Sequence, residues 1–142
     1  ASLSNPEVEK TSIESIRAYG HHFGMAYQLV DDLLDYVGDK AVMGKNTGDD
    51  LAEGKLTLPV ILAITRTKGK DTRVLLDAIE QKSSANLEQI VDIITASGAL
   101  EETQAAALKE IEHARNCLTR LPENEYRQAL ETLTDYSADR IY

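Results

Sequence analysis

Apolar side chains recur at Ile13, Ile16, Tyr19, Phe23, Tyr27, Val30 and Leu34, in steps of three and four. That spacing puts them along one side of a helix and predicts a single long one. Asn5 is placed to cap it, Pro6 to take its first position, and Glu7 and Glu9 to complement the dipole in its first turn. Its end is expected near Val37, before Gly38. Gly20 and Gly24 each cost about 1 kcal/mol in a helix interior relative to Ala. Four residues apart, they suggest that something packs close to the backbone there.

From Gly38 to Lys55 the run "GDKAVMGKNTGDDLAEGK" has four glycines and no apolar period. It reads as a loop, and loops of that length are uncommon unless functional. Periodicity resumes at a helix capped by Thr57, with Pro59 in its first turn, a buried "VILAI" and Gly69 as its stop. A short amphipathic helix over Asp71 to Lys82 follows. The next starts from Ser84 or Asn86 and stops at Gly98. "ALEETQAAALKEIEHARNCLTRLP" is helical up to Pro122. Asn124 caps a last helix through Leu130, Leu133 and Tyr136 to near Tyr142. The Val-Ile-Leu runs are flanked by helix formers rather than hairpin turns, so the expected fold class is all-α. At 142 residues and 42% hydrophobic content, the chain suits one domain with a core of its own.

Net charge changes the picture of partners. At −9, with acidic residues spread throughout, the chain lacks the basic surface that phosphate backbones need, which argues against nucleic acid as a partner. Cys117 is the sole cysteine, which rules out an intrachain disulfide and points to a reducing compartment. No run approaches the roughly 18 apolar residues of a membrane span, and no leader pattern opens the sequence. A cytoplasmic location is the resulting expectation.

The chemistry concentrates in "YQLVDDLLDY". Gln28, Asp31, Asp32 and Asp35 stand at i, i+3, i+4 and i+7 and form one polar line. Leu29, Val30, Leu33, Leu34 and Val37 are expected to cover the rest of those turns. Like charges at this spacing repel, and more so when partly desolvated. A merely solvated acidic face would be wider and would mix signs. The nearest cations in sequence, Lys40 and Lys45, lie in the loop that follows. Grouped hard oxygen donors suit Mg2+, which takes one or two carboxylates and completes its shell with water and phosphate oxygens. Lys45 and Lys55, set among glycines, supply compact ammonium charges for a diphosphate, with Asp49, Asp50 and Glu53 available to hold the loop or orient the lysines. His21 and His22 lack suitably spaced partners for zinc, and packing is the expected role of His113 and Cys117 at i, i+4.

"GMAYQLVDDLLDY" followed by "GKNTGDDLAEGKLTLP" closely resembles the second aspartate-rich region of trans-isoprenyl diphosphate synthases, with the longer-chain, octaprenyl type nearest. The specific part of the match spans Gly20 to about Ile64. The resemblance implies an all-α bundle of the isoprenoid synthase fold around a deep cavity. It implies condensation of isopentenyl diphosphate with an allylic diphosphate, whose metal-assisted ionisation yields a carbocation. By position, Asp31 would be the main ligand for Mg2+, with Asp32 and Asp35 in support, partly through water. Gln28 would lie beside the diphosphate, Lys45 and Lys55 would contact its oxygens, and Tyr27, where the family usually has Phe, would line the cavity wall.

The family's first aspartate motif and its basic residues for isopentenyl diphosphate are not found in residues 1–142. The chain is therefore expected to correspond to the C-terminal half of a synthase. It should be inactive alone, depend on the N-terminal half as partner, and self-associate through apolar surface built to cover that half. The same metal-driven ionisation occurs in class I terpene cyclases, but the Gly-Lys loop and "EGKLTLP" speak against one. A non-catalytic helical subunit of a heteromeric synthase would be expected to lose the aspartates kept here.

Overall fold

The computed structural model describes residues 6–37 and 48–141. Asn5, Lys40, Lys45 and Tyr142, each given a part above, lie outside the described residues. Seven helices follow one another among the described residues, with no strand, which bears out the all-α class. They are α1 (Pro6–Val37), α2 (Asp49–Ala52), α3 (Leu58–Arg66), α4 (Lys70–Gln81), α5 (Leu87–Ala96), α6 (Ala99–Leu118) and α7 (Glu125–Asp139). None is long and apolar enough to cross a membrane. The chain divides into two compact units, residues 29–105 and residues 1–28 with 106–142.

The unit of residues 29–105 holds the larger core. α3 packs on α4 and α5, α4 on α5, and α2 on α4. Leu51, Val60, Ala63, Leu75, Ile90 and Ile94 meet there with almost no exposure, joined by Leu33 and Tyr36 from the end of α1. Burying a side chain of this size contributes about 1.5–3 kcal/mol. In the other unit Tyr19 packs with Ala114, Leu118 and Leu121, against Phe23 and Leu130. The Tyr19 hydroxyl bonds Thr134 Oγ1 at 2.8 Å, which ties α1 to α7.

Several boundaries fall where the sequence places them. Gly98 follows α5 with φ +78°. Asn124 Oδ1 accepts the Arg127 N–H at 3.0 Å, an N-cap bond at the third helical position. Thr57 does stand at the N-cap of α3, yet its hydroxyl makes no cap bond.

Four expectations need correction. The stretch from Gly38 to Lys55 is not all loop: α2 forms inside it because Leu51 inserts fully into the core. Gly69 does not stop α3. That helix ends at Arg66, Thr67 turns extended, and Gly69, at φ +62° and ψ −121°, opens α4 instead. α6 stops at Leu118 rather than running to Pro122. The N–H groups of Thr119, Arg120 and Leu121 there bond carbonyls three residues back, a tighter turn that swings Leu121 into the core beside Tyr19. Finally, the apolar line on α1 is not uniformly a core face. Tyr19 and Val30 are buried, whereas Ile13, Ile16 and Tyr27 are 52%, 51% and 53% exposed.

Candidate functional site

The last two turns of α1 carry Asp31, Asp32 and Asp35. Asp35 is completely buried, Asp32 nearly so, and Asp31 is exposed. Leu33 faces the core while Val37 is half exposed, so the apolar cover expected around the polar line is incomplete at its C-terminal end. Gln28 and Tyr27 lie one turn earlier on α1, both exposed, and the Arg140 guanidinium sits 5.4 Å from the centre of the Tyr27 ring.

Asp35 fixes the segment that follows. Its backbone carbonyl accepts the Gly48 N–H at 3.0 Å, and its Oδ2 accepts the Asp50 N–H at 3.3 Å. The first N–H groups of a helix have no partner within the helix, so this carboxylate serves the start of α2 from a distance in sequence. Gly48 makes the approach possible with φ +86°. A Cβ there would stand 2.7 Å from Leu87 Cδ1. Asp50 is thereby buried beside the end of α1.

Asp50 and Glu53 in turn hold Lys55. Its Nζ lies 3.0 Å from Glu53 Oε2 and 3.6 Å from Asp50 Oδ1. The hydrogen bond and charge of Glu53, then the charge of Asp50, hold the ammonium above its ordinary pKa. The Lys55 side chain is 57% exposed, so the cation is tethered at the surface rather than buried. The backbone bond from Lys55 N to Asp50 O, at 2.9 Å, fixes the turn.

Sequence reasoning missed Tyr36. Its buried hydroxyl adjoins the buried Thr57 hydroxyl, and neither completes a well-formed bond among the described residues. Burial, followed by the charge of Asp35, pushes the phenol well above its usual pKa. The Thr57 hydroxyl opposes the shift, and Asp50 and Asp32 add to it. The only signal in the sequence is adjacency: a tyrosine directly after the third aspartate. The structure thus gathers Asp32, Asp35, Asp50 and Tyr36 into one buried acidic neighbourhood, with Lys55 at its edge.

Asp31, Asp32 and Asp35 do not close into a compact three-ligand cluster among the described residues. An all-oxygen donor set that presents one or two carboxylates at a time fits a hard divalent cation which keeps waters and takes phosphate oxygens. A fully protein-caged ion would need more converging ligands.

Known proteins resemble this chain over most of its length. The Polyprenyl synthetase family model matches residues 1–95, a span that includes the whole aspartate and lysine region. All-trans-nonaprenyl-diphosphate synthase (geranyl-diphosphate specific) of Rhodobacter capsulatus is 44% identical over 128 residues, 90% of this chain and 39% of that protein. Octaprenyl diphosphate synthase of Escherichia coli strain K12 is 39% identical over 136 residues, 95% of this chain and 41% of its own length. The crystal structure of a polyprenyl synthase from Caulobacter crescentus, complexed with calcium and isoprenyl diphosphate, superposes with a TM-score of 0.80 at 39% identity. That match covers 91% of this chain and 40% of the other. The chain therefore spans about two fifths of the length of these relatives. The family model's match over residues 1–95, with relatives 39% and 44% identical across nine tenths or more of this chain, shows that the chain belongs to the polyprenyl synthetase family.

Proposed function

We propose that this chain is the C-terminal, diphosphate-holding part of a trans-polyprenyl diphosphate synthase, a prenyltransferase that joins isopentenyl diphosphate to an allylic diphosphate. The supporting observation is the buried acidic neighbourhood at the end of α1, with Lys55 tethered at its rim. Carboxylates so concentrated favour a cation, and an ammonium beside them favours the anion that the cation brings.

In this reading Asp31 reaches Mg2+ from the exposed side of α1, and Asp32 and Asp35 support it, partly through water. Bound there, Mg2+ neutralises the charge that develops on a departing diphosphate. Asp35 also positions Asp50 by holding the start of α2. Asp50 and Glu53 keep the Lys55 side chain oriented, and Lys55 with Lys45 takes diphosphate oxygens as point charges. Gln28 donates to the diphosphate from the preceding turn, and Tyr27 lines the wall along which the prenyl chain lies. No nucleophilic side chain is required, because the nucleophile is the double bond of isopentenyl diphosphate. The remaining three fifths of the enzyme supply the first aspartate motif and the basic residues for isopentenyl diphosphate. The proposed setting is the cytoplasm.

The test is thermal unfolding with Mg2+ and an unreactive allylic diphosphate analogue. A ligand at a hundred times its Kd stabilises by about 2.7 kcal/mol. The unfolding midpoint should rise only when both are present, and the rise should vanish in Asp31→Ala and shrink in Lys55→Ala. An equal rise in Asp31→Ala would overturn the assignment. Given both substrates, the 142-residue chain should form no longer prenyl diphosphate by mass spectrometry.

A further inference from the structure

A second group of ligand-type side chains lies outside the aspartate region. Within the unit of residues 1–28 and 106–142, His22 on α1 meets Glu110 and His113 on α6. His22 Nδ1 is 2.6 Å from Glu110 Oε2, and His113 Nδ1 is 3.9 Å from the same oxygen. The three ligand atoms all lie within 4.8 Å of one another, and no other three His, Cys, Asp or Glu side chains among the described residues do so. The His22 and His113 rings stand edge to face with centroids 4.9 Å apart.

Each feature has a physical reading. Glu110 and His113 are three residues apart on α6, so they project from one face. His22 comes from a different helix, so an ion held by all three would cross-link α1 to α6. The His22 and Glu110 side chains are 28% and 25% exposed, and that of His113 43%, which leaves a path for an ion and a water. Metal–ligand bonds of about 2.0–2.2 Å in a tetrahedron put donor atoms roughly 3.3–3.6 Å apart. Reaching that geometry means opening the 2.6 Å contact and closing the 3.9 Å one, each by about 1 Å or less, and closing the His22–His113 separation, at most 4.8 Å, by no more than about 1.5 Å.

The donor set also selects the ion. Two imidazoles and one carboxylate suit Zn2+ and its neighbours in the transition series, whereas Mg2+ prefers oxygen alone. His21 packs edge-on against His22 at 5.4 Å between centroids and helps fix that ring. We propose that His22, Glu110 and His113 form a binding site for a divalent transition-metal ion, Zn2+ foremost, that clips α1 to α6 and leaves one position for water.

Metal-free 142-residue chain is titrated with Zn2+ by calorimetry in a large excess of Mg2+, which occupies oxygen-only sites. One Zn2+ per chain should bind and raise the unfolding midpoint. His22→Gln, His113→Gln and Glu110→Gln should each weaken binding more than about tenfold, at least the loss that removal of even an outer-shell partner produces. Asp31→Ala should leave it unchanged. A readout without mutation accompanies these: zinc should shift the imidazole NMR signals of His22 and His113 far more than that of His21. No stoichiometric uptake by the wild type, wild-type affinity in both histidine variants, or zinc-induced shifts absent from both rings would each overturn the site.

Discussion

The Tyr36 phenol lies among three buried carboxylates, and its protonation is therefore linked to folding. Burial and the charge of Asp35 favour the neutral form, so the folded chain holds the proton to higher pH than the unfolded one. Below about pH 10 both states are protonated and the full stability is present. Above it the unfolded chain releases the proton first, and stability falls until the folded phenol ionises as well. A single group of this kind contributes a slope of at most about 1.4 kcal/mol per pH unit. Denaturant midpoints measured from neutral pH to beyond pH 10 should therefore decline, and Tyr36→Phe should remove part of the decline while costing little near neutrality. Equal alkaline slopes in the two proteins would show that Tyr36 is not buried among charges. The aspartates beside it were legible as a line but not in depth. Gln28 to Asp35 spans an arc of about 100° at helical spacing, and such an arc straddles the boundary between core and surface. Periodicity sets Asp31 and Asp32 at the two opposite edges of that arc without saying which edge meets the core. Tertiary packing decides it: Asp32 is hidden and Asp31 is not.

Among the elements, α2 is the one the pattern could not show. Four residues are too few for a helical period, and its one core residue, Leu51, is isolated between acidic and glycine positions. The long helix α1 was legible because it repeats its spacing many times. Its glycines show how little sequence alone says of their purpose. A Cβ at Gly20 or Gly24 would meet nothing within 4 Å, so the close approach their spacing suggests has no counterpart in the described residues. Gly48 is the opposite case, with positive φ and Leu87 in the way. Opposite outcomes follow for one chemical change. Gly24→Ala should stabilise the chain by about 0.5–1 kcal/mol through helix propensity and reduced unfolded-state entropy. Gly48→Ala should destabilise it by about 1–2 kcal/mol, the cost of a left-handed backbone with a Cβ. Urea unfolding of both variants checks this, and a shift of the same sign in the two would contradict it.

At the scale of the whole molecule, the exposed face of α1 decides behaviour in solution. Ile13, Ile16 and Tyr27 are each about half exposed, and with the bare Gly20 and Gly24 they occupy an arc of roughly 80° at helical spacing. A contiguous apolar strip of this kind marks an interaction surface and drives association when uncovered. In the proposed enzyme it would face the remainder of the protein. In the 142-residue chain it is available to a second copy. The net charge of −9 opposes that contact by mutual repulsion, and salt screens the repulsion over about a Debye length. Association should therefore strengthen with ionic strength as well as concentration, the reverse of a complex held by opposite charges. Sedimentation equilibrium should return average masses above the 15.6 kDa of one chain, rising as salt is added. Ile16→Glu, which places a charge in the middle of the strip, should restore the single-chain mass without loss of helicity. A single-chain mass at high micromolar concentration in both low and high salt would mean that the strip does not drive association.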